Sequence, residues 1–368
     1  MAPRSGPAAS GGDSVRAAVA LAITHAKEDA RLPPNIEIKI VSLDESTQSG
    51  AAGAANRRLR NGAVVAVIGS LLPSSFPDLR RVSAARSVAF AAVGAVLSQD
   101  VPVDVASAQP GPSAAPAAPA FRMIADESVA AAWLGKQLLP ETVPVAFVHD
   151  GTSAGRSSLS AFAVGLATTT TGSSTPSGPI VLNNGAIDPA LVLRLSQQPA
   201  GRVVVGGSME AASRLSAALR ALDPNWRVIT GGQTDGTSCV EAPDRFSEGD
   251  LCVVTGAPFA QSVPARAFRE DALAAGLASP TASATAAYDA TMLVVDALAA
   301  VAKSASQTGT PIADVDLRAG VVATLAAGPT LEGATGRVAF ENGGRRSNPP
   351  LTLLRRGRAG WIAERATQ

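Results

Sequence analysis

The chain has 368 residues, 46% of them apolar, and a net charge of +1. That is enough length and apolar content for two domains with their own cores, and it is unlike a disordered chain. No basic block exceeds short pairs such as Arg57-Arg58 and Arg355-Arg356, so the charge pattern indicates neither nucleic acid nor a membrane surface as partner. The four lysines, Lys27, Lys39, Lys136 and Lys303, stand in an arginine- and alanine-rich background that reads as a coding bias. No window approaches the roughly 20 apolar residues of a membrane span. The opening MAPRSGPAASGGD lacks the apolar core of a signal peptide.

In chain order, apolar residues at Val15, Val19, Ala22, Ile23 and Ala26 predict an amphipathic helix over 15–28, with Asp13 or Ser14 as its cap. Strict alternation in IEIKIVSL predicts a strand over 36–43. A helix over 51–60, a strand over 63–68, a helix over 78–85 and a strand over 88–93 follow. The block AVVAVIGSLLPSSFPD is a short β-branched run ending in Gly and a Ser/Pro cluster, which reads as a buried strand feeding a loop and a helix. Residues 100–120 are Pro, Ala and Ser without period, an exposed loop insertion.

Order resumes at 121–124 and the alternation restarts. Helices are predicted over 128–139, 157–167, 189–197 and 210–222, with strands over 143–149, 180–182, 202–205, 227–230 and 251–255. Helices over 265–275, 285–303 and 317–326 come next. The end differs in kind: 336–340, an Asn342-Gly343 turn, 351–355 and 361–364 read as antiparallel strands. Repeated βα units predict parallel sheets, and the ends of such strands are where open α/β sheets bind ligands.

The two histidines, His25 and His149, lie in neither a Ser/His/Asp nor a metal-ligand spacing. Neither a phosphate-binding G-x-x-x-x-G-K-[ST] nor a dinucleotide-binding G-x-G-x-x-G is present. No cofactor is implied, and an enzyme is not expected. Cys239 and Cys252 flank an acidic loop; their separation suits a disulfide, with two buried free thiols as the alternative. A disulfide would fit an exported protein.

Several segments, in this order, resemble type 1 periplasmic binding proteins, specifically the branched-chain amino acid and amide receptors of ABC importers. They include Ser5-Gly6-Pro7, Val67-Ile68-Gly69 with Ser74-Ser75, Phe121-Arg122, Val148-His149-Asp150 with Gly155, and Val205-Gly206-Gly207 before Glu210. Gly231-Gly232, Ala287-Tyr288-Asp289, Leu331-Glu332-Gly333 and Phe340-Glu341-Asn342-Gly343 complete the series. The resemblance implies an α/β fold of two doubly wound parallel-sheet lobes, joined by three crossings, with ligand held in the cleft between them and hinge closure as the working motion. It divides the chain into lobe 1, residues 1–121 and 257–330, and lobe 2, residues 122–256 and 331–368. The family begins with a strand just before Ser-Gly-Pro. This chain starts at Met1-Ala2-Pro3-Arg4, so the first strand of lobe 1 is expected to lie, with an export signal, in a missing upstream part.

In the family, hydroxyls and backbone N–H groups of the first lobe hold an amino acid's carboxylate. An acidic group and aromatic hydroxyls of the second hold its ammonium. Carried onto this chain, the first-lobe contacts fall on Ser74 and Ser75, after Pro73, and on Gly94 and Ala95 in the loop over 93–97. The second-lobe tyrosines fall on Ala154 and Ser208, and the acidic partner falls on Gln233. An unpaired buried ammonium costs several kcal/mol. The expected ligand is therefore a neutral or small polar solute before a standard amino acid, with loss of binding as a third reading. Against these roles, Ser74 and Ser75 could be plain helix caps, Gly206-Gly207 and Gly231-Gly232 plain turns, and Asp150 a residue that shapes its loop. Tyr288, Trp133, Trp226 and Trp361 read as packing. The expected function is an extracytoplasmic solute-binding protein working with an ABC permease. The alternative is a ligand-sensing domain attached to a sensor's membrane domain.

Overall fold

The computed structural model describes residues 1–6, 8–32, 36–45, 48–94, 120–138, 145–152, 155–160, 162, 177–181, 187–197, 201–231, 239–241, 243–255, 263–277, 281–309, 314–341 and 344–367. In chain order the elements are α1 (Ala9–Glu28), α2 (Gln48–Leu59), β1 (Ala66–Ile68), α3 (Phe76–Ala84), β2 (Ala89–Ala92), β3 (Ala120–Arg122), α4 (Glu127–Leu138), β4 (Val145–His149) and β5 (Ser177–Val181). Next come α5 (Pro189–Ser196), β6 (Arg202–Gly206), α6 (Met209–Leu222), β7 (Arg227–Thr230), β8 (Leu251–Thr255), α7 (Val263–Ala274), α8 (Ala282–Thr308) and α9 (Asp314–Ala326). The chain ends with β9 (Leu331–Gly333), β10 (Gly336–Val338), β11 (Leu351–Arg356) and β12 (Trp361–Ala366).

The chain forms two compact units. Unit 1 takes Met1–Gly94, Pro102–Ile124 and Gly256–Pro349; unit 2 takes Ala125–Thr255 and Pro350–Gln368, with Ala95–Val101. The expected boundary at 330/331 thus falls at Pro349/Pro350, and the reason is a buried polar cluster. Asp289 of α8, 0% exposed, accepts from Ala334 N (2.7 Å), Thr335 N (2.8 Å) and the Thr335 hydroxyl. The buried Arg346 donates to the Thr335 hydroxyl (2.8 Å), Thr335 O, Arg337 O and Met123 O. These bonds bind 334–346 to unit 1.

Unit 1 carries a parallel sheet in the order β1-β2-β3. All four residues of β2 are buried, as a strand covered on both faces must be. Val15 of α1 and Ala286, Ala290 and Leu293 of α8 share one core with Ala89, Ala91 and Phe121. Alanines on both helices permit their close approach. Helix α8 opens on a Thr281 cap and stops at Gly309 in the left-handed conformation. Contrary to the expectation that no window approaches a membrane span, α8 is long and apolar enough to cross one; its apolar window is 67% buried, as in the core helix of a globular unit.

The strand expected over 36–43 does not form. Ile36 and Ile38 pack on the core, but among the described residues only Ala2 pairs alongside, at Asp44, and Ile40 and Val41 are 48% and 49% exposed. Alternation alone cannot make a strand without a neighbour to complete its ladder. The expected antiparallel end is redrawn in part: the chain reverses between Glu341 and Gly344, and Phe340 bridges Arg346 antiparallel, but β10 pairs with β9, while β11 pairs with β8 and β12.

Unit 2 is a seven-stranded sheet in the order β12-β11-β8-β7-β6-β4-β5, parallel from β8 to β5 and antiparallel at β11 and β12. The order within β5-β4-β6-β7-β8 reverses between β4 and β6, the switch point at which doubly wound sheets hold ligands. Leu134, Phe147, Val204, Ile229 and Leu353 build its core. Cys239 and Cys252 are bonded, tying a short 3-10 turn to β8, and the Trp361 indole donates to Cys239 O at 2.9 Å.

Burial pushes Asp289 upward, against the Thr335 and Ala334 hydrogen bonds and Arg346. It pushes Arg346 down to about 10, against Asp289. Asp289→Leu should cost about 3–5 kcal/mol in urea unfolding by stranding Arg346. Asp289→Leu with Arg346→Met should cost less than the single change. Replacing both cysteines by serine should remove about 2–4 kcal/mol, and reductant should have no effect on that variant.

Candidate functional site

In unit 1 the loop after β1 and the residue closing β2 are stitched together. Gly94 N donates to Ser70 O at 2.8 Å, and a Cβ on Gly94 would lie 2.2 Å from Leu71 O. Only glycine lets the two loops meet this closely. Beneath them sits Glu45, 0% exposed, whose carboxylate accepts from Leu71 N (2.8 Å), Leu72 N (3.1 Å) and the Ser75 hydroxyl. The Ser75 hydroxyl also contacts Ser70 Oγ (2.8 Å) and Leu72 O (2.9 Å) and is buried. Its capacity is spent inside the protein. Ser74 is exposed beside it, at the 3-10 turn that opens α3, with no hydrogen bond to a described residue.

In unit 2 the switch point is organised by Asp150, at the end of β4. Its carboxylate accepts from Thr152 N (3.0 Å), the Thr152 hydroxyl (2.6 Å) and Ser208 N (2.9 Å). A Cβ on Gly207, whose φ is +145°, would fall 2.4 Å from the Asp150 carboxyl carbon, so the approach of β6 to this carboxylate requires glycine. Ser208 caps α6 by accepting from Ala211 N at 3.2 Å. The alternative reading of Asp150 as a loop-shaping residue is what its bonds describe. Two further strand ends carry buried hydroxyls, Thr230 and Thr255, without a hydrogen-bond partner among the described residues.

The geometry thus brings Ser74, Ser75 and Gly94 to one set of strand-end loops in unit 1, and puts Ser208 at the switch point of unit 2. Ala95, Ala154 and Gln233 lie outside the described residues. Glu45 was not singled out from sequence, since an acidic residue in the polar stretch SLDESTQSG carries no sign that it will be buried.

A sequence profile of the periplasmic binding protein family matches residues 1–358. The chain belongs to that family. No curated protein matches it by sequence. Similar solved structures include a leucine binding protein from Thermotoga maritima, 16% identical, with a TM-score of 0.77, covering 100% of this chain and 97% of that one. Another is the branched-chain amino acid transporter substrate binding protein of Streptococcus pneumoniae in complex with isoleucine, at 15% identity, TM-score 0.74 and coverage of 99% and 96%. A third is an ABC transporter solute binding protein from R. palustris in complex with benzoate, at 14% identity, TM-score 0.73 and coverage of 99% and 94%. At these identities the likeness shows the fold, that of type 1 periplasmic binding proteins.

In this periplasmic binding protein, His149 adjoins Asp150 and is 4% exposed. Its Nδ1 accepts from Gly151 N at 3.1 Å, which requires the neutral ring. Burial, with the charge of Arg156 and against that of Asp150, holds its pKa below the usual 6.5. Below pH 6.5 the unfolded chain therefore takes up a proton that the folded chain resists. The stabilisation is present above pH 6.5 and is lost as pH falls toward the lower folded value. His149→Asn, which keeps an acceptor, should flatten this part of the stability profile when urea unfolding of the two proteins is compared between pH 5 and 8.

Proposed function

We propose that this chain is the solute-binding component of an ABC importer, working outside the cytoplasm, and that its solute is a small, polar, uncharged molecule. Contacts to the solute would come from Ser74, Gly94 and Ala95 with the backbone around Ser75 in unit 1, and from Ala154, Ser208 and Gln233 in unit 2. The importer's membrane permease would be its partner.

The observation that carries this reading is the state of Asp150. It is the carboxylate at the switch point, and both its oxygens are occupied by backbone and hydroxyl donors of its own unit. Releasing it to a ligand ammonium would unmake the loop that places Ser208. What the described residues of these strand ends offer is hydroxyls and peptide groups, which suit amide, hydroxyl and carbonyl functions.

Thermal unfolding against amides, urea-like solutes, nucleosides, small carboxylates including benzoate, and leucine or isoleucine tests this. A true solute at ~100 times its Kd should add about 2.7 kcal/mol of stability. Ser74→Ala should weaken that solute roughly two- to tenfold, as the loss of one hydrogen bond does. A stabilising response to leucine or isoleucine, with none to neutral solutes, would overturn the uncharged-solute reading.

A further inference from the structure

The charge of unit 1 is unevenly distributed. Residues 48–93 hold six arginines, Arg57, Arg58, Arg60, Arg80, Arg81 and Arg86, and one acidic residue, Asp78. The whole chain is only +1, so what lies outside this stretch is net acidic, and such segregation of charge points to an anionic surface as partner. In the sequence the six read as short pairs and single residues, and only the fold brings them together. Helix α2 ends at Leu59 and β1 begins at Ala66; α3 ends at Ala84 and β2 begins at Ala89. The two strands are parallel and start level, Ala66 opposite Ala89. Both helices therefore bring their last turns to the strand-start end of this sheet, away from the strand-end loops of Ser74 and Gly94. They pack on each other, and Arg86 Nη2 reaches Asn56 Oδ1 of α2 at 3.4 Å.

Arg57, Arg58, Arg60 and Arg81 are exposed, and Arg80 and Arg86 are half-buried. Arg81 pairs with Asp78 at 2.9 Å; among the described residues the other five have no ion pair. Helix α9 sends Arg318 to the same end, where it donates to Val64 O (2.7 Å), Leu59 O (3.1 Å) and Asn61 O. Counting the acids that precede it in α9, Asp314 and Asp316, along with Asp78, arginines still outnumber acids seven to three. The pull of a helix C-terminus on cations accounts for Arg57 and Arg58 in the last turn of α2 and Arg81 in that of α3. It does not account for Arg60 and Arg86, which lie beyond the helix ends.

We propose that this face of α2 and α3 is a docking surface for an anionic membrane, its arginines meeting lipid phosphates. A guanidinium holds phosphate oxygens in a bidentate fork and keeps its charge. An array spread over two neighbouring helices suits a surface of many phosphates better than one small ligand. Each arginine near such a surface contributes about fivefold to partitioning. Nucleic acid offers the same phosphates; the membrane is favoured because the protein is proposed to work outside the cytoplasm, and the choice rests on that reading. A protein held by this face keeps the strand-end loops of unit 1 away from the bilayer and open to solute.

Sedimentation of the full chain with vesicles of equal parts phosphatidylglycerol and phosphatidylcholine, and with vesicles of phosphatidylcholine alone, tests the proposal. At about 0.15 M sodium chloride, where the screening length is about 8 Å, binding to the anionic vesicles alone is expected, and at about 1 M, where that length is about 3 Å, it should be lost. Arg57→Gln with Arg58→Gln, both on exposed side chains, should weaken it by about tenfold or more. Arg214→Gln, at an exposed arginine of α6, should bind as wild type does. Equal binding to both kinds of vesicle, binding to neither, undiminished binding in the double variant, an equal loss in Arg214→Gln, or tighter binding to duplex DNA than to the anionic vesicles would overturn it. Each of those results would leave a thermal response to solute untouched, so the two readings fail separately.

Discussion

A carboxylate taken out of water must collect hydrogen-bond donors, and this chain meets that requirement repeatedly in one way. Glu45, Asp150, Asp250 and Asp289 are each buried, and each accepts from two backbone N–H groups and one hydroxyl. Most of the peptide donors come from loops and turns, which have no ladder of their own to satisfy them; Val228 N, which bonds Asp250, comes from β7. Each pairing therefore cancels two costs at once, an ion without water and peptide groups without partners. Two of them, Glu45 and Asp150, shape strand-end loops from below, in unit 1 and unit 2 respectively.

That arrangement explains why the strand ends have the chemistry they have. Glu45 consumes the Ser75 hydroxyl and leaves Ser74 facing outward. Asp150 consumes Ser208 N and draws the end of β6 against β4, where the order of the sheet reverses. Glycines at 94 and 207 sit where a side chain would collide with the neighbouring loop or carboxylate. The described strand ends present peptide groups and hydroxyls and keep these two carboxylates underneath.

Much of this was legible from residue order. The βα alternation and the buried β-branched runs depend on neighbours within a few residues, and they recur in the structure close to where their periods place them; the cap expected at Asp13 or Ser14 does not, because α1 already starts at Ala9, with Ala8 before it. Strand 36–43 shows the limit. Its alternation of apolar and charged residues is real, and Ile36 and Ile38 do face the core, yet whether it becomes a strand depends on a partner elsewhere in the chain. The Asn342-Gly343 signal shows the same limit, because a turn motif specifies a reversal and not which strands will pair after it.

The sequence by itself determined the family, the α/β class and the loops in which a ligand site should be sought, since these follow from local period, turn chemistry and segment order. Only the tertiary structure decided which polar residues within those loops are available. Ser74 and Ser75 are adjacent and chemically identical, and what separates them is Glu45, thirty positions from Ser75 in the chain. It likewise joined 331–349 to unit 1 through Asp289 and Arg346. Burial and pairing across long stretches of chain assign a side chain to structure or to surface, and no local pattern records them.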